Sequence, residues 1–299
     1  MQGTSRRDYL VGLVLVAGSA VAWSTGGLYA RAVGVDIWTT LFWRCAFAAL
    51  LLLGWCAATR GARLLADLRA LGGPGLLVAA CIALSTMTFI AALDVTSVAT
   101  VLITQATAPF VAALLGWAWL KERLDLPVLA ACTAAFLGVA VMVAGSFGDG
   151  SSLGALLSIV MTVAVGLAIV LMRRWRQVSM LPAVLVAFLL ATAASAPLAS
   201  PLAVSGMQLG GLALFGVTQT GLGWLLLTLG APRLPAAETA LLGVLEVVLA
   251  PIWVWLAFAE IPSTATFLGG TLVLGAVLGH VGWELLQQTR TARGATPSA

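Results

Sequence analysis

One long apolar stretch is written twice in this chain. The first copy, Ala99 to Gly145, reads ATVLITQATAPFVAALLGWAWLKERLDLPVLAACTAAFLGVAVMVAG. The second, Ala237 to Trp283, reads AETALLGVLEVVLAPIWVWLAFAEIPSTATFLGGTLVLGAVLGHVGW. A shift of 138 positions lays Glu122 on Glu260 and Gln105 on Gly243. Each copy is a long apolar helix, a very short turn holding a Glu, and a second, glycine-rich apolar helix. A duplication at this scale makes the two halves of the chain copies of one architecture.

The medium follows from composition. Of 299 residues, 61% are hydrophobic and only 9% are charged, with a mean hydropathy of +1.08. Soluble domains carry about 25% charged residues. Separate apolar runs of about 20 residues therefore predict an all-α integral membrane protein. A β-barrel would need alternating apolar and polar residues, whereas runs such as LVGLVLVAGSAVAW are continuously apolar. The 32 glycines suit helices that pack closely in lipid. Cys45, Cys56, Cys81 and Cys132 lie in apolar helices without CxxC spacing, so no disulfide framework is expected. The net charge of +4 sits in short loops and is no nucleic-acid footprint.

Ten spans are predicted. They cover about 10–30, 37–58, 73–93, 97–120, 126–145, 153–172, 181–198, 209–230, 239–258 and 265–286. The first run is too long for a signal-peptide core and lacks a small-x-small cleavage site. The Gly/Ser-rich SFGDGSS divides the halves. Residues 1–147 form the first five-helix repeat, 152–288 the second, and 289–299 a polar tail. With both termini on one side, every basic residue outside the spans except Arg31 falls on that side, which predicts cytoplasmic termini. Five spans per half is an odd number, so the halves must be inverted. A central cavity is expected where they meet near mid-membrane.

Several stretches resemble the drug/metabolite transporter superfamily, and within it the EamA-type exporters. They are AWSTGG (Ala22–Gly27), FWRCAFAALLLL (Phe42–Leu53), TQATAPFVAALLGWAWLKERL, FLGVAVMVAG (Phe136–Gly145) and LEVVLAPIWVWLAFAEIPS, in this order and spacing. One departure is Val247 where the family usually has Pro, with Pro251 four residues later; any kink should move by about one turn. The resemblance implies a protein of the prokaryotic cytoplasmic (inner) membrane. It also implies that helices 5 and 10 flank a cavity formed by the other eight. Relatives export aromatic or other amino acids, drugs or small metabolites.

Intramembrane charge is the sharpest signal, since each charge costs about 2.5–3.5 kcal/mol at a helix centre. Glu246 lies roughly 10 Å into helix 9 at 1.5 Å per residue, where it can exchange a proton or serve as a structural hydrogen-bond acceptor. Arg44 is placed to bind a substrate carboxylate, to pair with Glu246, or to snorkel outward. Gln105, Gln219, Thr86 and Ser24 offer amide and hydroxyl groups to a zwitterion. They equally suit bonds within and between helices. Trp23 and Trp224 are candidate cavity walls. Glu238 reads as a helix-start residue, His280 as a packing residue of a peripheral helix, and Glu122 and Glu260 as structural marks of the repeat.

These residues predict a secondary transporter exporting amino acids or similar small metabolites by alternating access, with the lipid bilayer as partner. Proton coupling and a homodimer are further expectations. A drug-like or other metabolite substrate is the first alternative. A membrane scaffold or intramembrane enzyme is the second. An enzyme is not expected: no GxxxxGK[ST], HExxH or GxSxG is present, and the sequence implies no cofactor, metal or nucleic acid.

Overall fold

The computed structural model describes residues 6–122, 125–143, 152–259 and 261–294. Glu260, most of the SFGDGSS linker and the end of the tail lie outside them. Among the described residues all regular structure is helical. The apolar helices are α1 (Arg6–Ala30), α2 (Ile37–Arg60), α3 (Gly72–Val95), α4 (Thr100–Leu120), α5 (Leu126–Met142), α6 (Ser152–Arg174), α7 (Leu181–Ser195), α8 (Gly206–Arg233), α9 (Ala236–Phe258) and α10 (Thr264–Gly294). Eight are long and apolar enough to cross a bilayer; α5 and α7, with 17 and 15 residues, are shorter. Helix α10 continues to Gly294, through residues expected in a polar tail.

Large apolar side chains face outward along the bundle, among them Leu50, Leu76, Leu137 and Leu278, each more than half exposed. Lipid is the medium that removes the cost of such a surface. The fully buried positions hold small residues beside a few large ones: Ala48, Cys132 and Ala183 with Leu41, Phe188 and Leu227. Small residues bring helices close, so dispersion contacts and interhelical hydrogen bonds hold the bundle where hydrophobic burial is weak.

The packing reproduces the duplication. Helices α2 and α7, α4 and α9, and α5 and α10 pack in pairs across the two halves. The other main contacts come as mates under exchange of the halves: α3 on α6 with α8 on α1, α3 on α7 with α8 on α2, and α4 on α6 with α9 on α1. Each half is therefore completed by the other. At the α5–α10 crossing, a Cβ on Gly138 would lie 2.7 Å from the Gly269 carbonyl oxygen, so only glycine permits this approach.

The repeat is legible in the backbone as well. Helices α4 and α9 end in a left-handed residue, Lys121 at φ 57° and Ala259 at φ 56°. These are the two non-glycine residues with positive φ among those described, and they are 138 positions apart (259 − 121). Without the freedom of glycine, each conformation is sterically disfavoured; its duplication marks it as part of the inherited turn.

Candidate functional site

Four helices are irregular within their length, and these irregularities position the site. Helix α4 ends its first segment at Gln105, turns at Ala106 and Thr107 with ψ of −11° and −8°, and resumes at Ala108. Pro109 supplies the cause, since it has no N–H for the Gln105 carbonyl and its ring crowds that carbonyl. Helix α9 breaks at the equivalent place, between Gly243 and Leu245, with Val244 at ψ −19°. Val247 stands where the first copy has Pro109, and glycine at 243 lowers helix propensity at the break instead. The expected kink one turn later, at Pro251, does not form a break, since α9 stays helical from Leu245 to Phe258.

Helix α1 is interrupted at Thr25, where the Ser24 and Thr25 hydroxyls donate back to the Val21 and Ala22 carbonyls. Such bonds bend helices. Helix α8 widens into a π-helical segment, Phe215–Gly221, which contains Gln219. Irregular backbone is tolerated at membrane depth where it is enclosed by protein or lines a cavity, and π-bulges recur at functional sites.

The two breaks of the repeated helices meet. The Gln105 amide Nε2 donates to Glu246 Oε1, so a polar residue without a polar counterpart in the other copy is met from each half. Both line a cavity of about 50 Å³ with Trp23, Ile169, Thr239 and Gly243.

Around this pair, α1 and α8 form a polar and aromatic frame. The Trp23 carbonyl accepts from Gln219 Nε2 at 3.4 Å, and the Trp23 ring meets Trp224 edge-on at 5.4 Å. Gly223 makes room for the Trp23 indole, which any side chain there would strike. Ser24 Oγ accepts from Trp253 Nε1 at 2.8 Å, tying the break of α1 to α9. Gln219 Oε1 accepts from the Thr220 hydroxyl at 2.7 Å.

The remaining candidates stand elsewhere. Trp224 is buried against Trp23 and Phe188 and does not line the cavity. Thr86 is buried in α3 and is also not a lining residue. Arg44 is buried over the Phe215 ring at 5.7 Å, with its Nε lacking a hydrogen-bond partner. It forms no ion pair with Glu246 among the described residues. The helix rotation that would bring them together is not the one adopted, and Arg44 neither snorkels nor finds a carboxylate.

Beyond the repeat breaks, the Arg6 end of the bundle is closed by polar groups. Glu122 pairs with Arg173, accepts from the Ala236 N–H at the start of α9 at 3.2 Å, and sits beside Gly116. Arg173 also donates to the Pro232 carbonyl at 3.1 Å. This mark of the repeat is thus a cap that joins α4, α6 and α9. The same end gathers Tyr9, Glu238, His280 and Glu284. Only the four-residue spacing of His280 and Glu284 shows in the sequence; Tyr9 and Glu238 join them from α1 and α9.

The sequence profile of the EamA-like transporter family matches this chain twice, at residues 10–144 and 152–281. No curated protein sequence matches. One solved crystal structure, described only as a protein, superposes with a TM-score of 0.75 at 21% identity, covering 91% of this chain and 95% of its own. It shows a common fold.

Proposed function

The chain belongs to the EamA-like transporter family, and from that premise we propose that it is a secondary transporter exporting amino acids or similar small metabolites by alternating access. The membrane-transporter class comes with the family; the substrate, the direction and the ten-span inverted topology are our reading. In it, α5 and α7 also cross, the bilayer thinning locally to match them. Both termini are cytoplasmic, as the basic loops require.

One observation carries the site assignment: the coincident breaks of α4 and α9 place Gln105 and Glu246 in contact inside a membrane-embedded bundle. A partly buried carboxylate beside an amide offers an acceptor for an ammonium group and a donor for a carboxylate. Trp23 gives the apolar wall. The broken helices divide into rigid half-helices that rock about the pair, opening the small cavity to one side at a time. Arg44, without a hydrogen-bond partner at Nε beside the π-helical segment of α8, is a candidate for a substrate carboxylate in a more open state. Glu246 exchanges a proton as substrate enters and leaves.

A drug-like cation is a second reading favoured by a specific feature, since Glu246 is the one ionisable side chain among the lining residues and an indole stands beside it. Reconstituted proteoliposomes given labelled amino acids and, separately, quaternary ammonium compounds separate the two. Amino-acid counterflow supports the first reading. Flux of the cations alone transfers the site to the second.

A further inference from the structure

The cluster at the Arg6 end of the bundle has a composition that the transport site does not use. Helix α10 places His280 and Glu284 four residues apart, on one face. Glu238, in the first turn of α9, is turned toward them. Glu238 and His280 are each 5% exposed, while Glu284 stands at the rim with intermediate exposure. The Tyr9 hydroxyl donates to Glu238 Oε2 at 3.1 Å, leaving Oε1 toward the imidazole.

Two features of this group remain unmet by the protein alone. Both imidazole nitrogens of His280 are sealed from solvent, and neither has a hydrogen-bond partner. Buried polar atoms are seldom left so. Two carboxylates also share the enclosure, and no Lys or Arg pairs with either among the described residues. A bound cation would satisfy both conditions.

The spacing identifies its class. One ligand atom from each of Glu238, His280 and Glu284 can be chosen so that all lie within 4.8 Å of one another. His280 Nε2 is 3.5 Å from Glu238 Oε1, long for a hydrogen bond. With metal–ligand bonds of 2.0–2.2 Å, two donors of a tetrahedral zinc ion stand about 3.4 Å apart. Calcium and magnesium take six or more oxygen ligands, whereas an imidazole with carboxylates suits a borderline transition metal.

We propose that Glu238, His280 and Glu284 bind one divalent transition-metal ion of the zinc class, with a fourth position open on the Glu284 side. Tyr9 supports the site by orienting Glu238. The ion joins the first turn of α9 to α10 and, through Tyr9, to α1 of the other half. This site is independent of the transport pair at Gln105 and Glu246.

The test uses the full-length, tag-free protein in detergent. Titration with Co2+ is expected to give the intense visible bands of a four-coordinate ion, displaced by one equivalent of Zn2+. X-ray absorption of the Zn2+ form should show a nitrogen and oxygen shell. His280→Gln and Glu284→Gln should each weaken binding by at least about ten-fold, and Cys132→Ser should leave it unchanged. If His280→Gln does not purify as a monodisperse protein, Glu284→Gln at the rim carries the comparison. Failure of the wild-type protein to bind Co2+ or Zn2+ at micromolar concentration overturns the proposal. So does a sulfur-containing shell, or unchanged affinity in Glu284→Gln.

Discussion

The Gln105 amide donates to the Glu246 carboxylate across the meeting point of two broken helices that occupy equivalent places in the repeat. Duplication alone would put identical groups there. Instead Gln105 is matched by Gly243 in the second copy, and Glu246 by Ala108 in the first. The two halves supply one partner each.

Gln105→Ala removes the donor and leaves a partly buried carboxylate oxygen without it. The expected cost is about 1–3 kcal/mol of stability, read as a lower unfolding temperature in detergent. A second change, Glu246→Gln, should remove any dependence of flux on a proton gradient. Unaltered gradient dependence in that variant assigns coupling to another group.

Glycine 138 carries the close crossing of α5 and α10. A valine there would drive its Cβ against the Gly269 carbonyl oxygen and the Val273 side chain, each 2.7 Å away. We expect Gly138→Val to lose about 1–3 kcal/mol or to misassemble, visible in gel filtration and thermal unfolding. A monodisperse protein of wild-type stability would show that the helices separate freely.

Glu122 and Arg173 should be coupled. Both are partly shielded, and Glu122 also caps α9 through the Ala236 N–H. A double-mutant cycle of Glu122→Gln and Arg173→Gln is expected to give about 1 kcal/mol of interaction. A value of zero would leave the ion pair without a part in closing this end.

Asp36 caps α2 outside the spans, accepting from the Thr39 N–H at 2.9 Å. Slight burial pushes its carboxyl up, but bonds from the Thr39 hydroxyl and from the Thr39, Trp38 and Asp36 N–H groups outweigh this and hold it below the ordinary 3.8. A depressed folded value means that the ionised form stabilises the fold. That contribution is complete above the ordinary value and is lost as pH falls through the lower folded one. The stability gap between wild type and Asp36→Ala should therefore be constant near neutrality and shrink in acid; a gap that grows in acid contradicts the cap.

Apolar run length suffices to locate the helices because lipid imposes one requirement, a continuous apolar run with its own hydrogen bonds. It also located the turn shared by Lys121 and Ala259, since the copies align there. Helix rotation is set by packing between the halves, and no single run encodes it. Arg44 therefore reads as a partner for Glu246 yet lies against Phe215. Pro251 reads as the kink, but the break forms at Gly243, in register with the one that Pro109 creates in α4. His280 reads as peripheral because its neighbours Glu238 and Tyr9 come from distant parts of the chain.

Labelling at Gly243 tests the central claim most directly. The residue lines the cavity, and a Cβ there meets nothing within 4 Å. Gly243→Cys can be placed in a background in which Cys45, Cys56, Cys81 and Cys132 are replaced, and labelled with a membrane-permeant thiol reagent during active flux. Substrate that passes between Gln105 and Glu246 should slow this labelling in proportion to its occupancy, and Gln105→Ala should weaken the protection. Labelling at the same rate with and without saturating substrate, while flux continues, would place the pathway elsewhere.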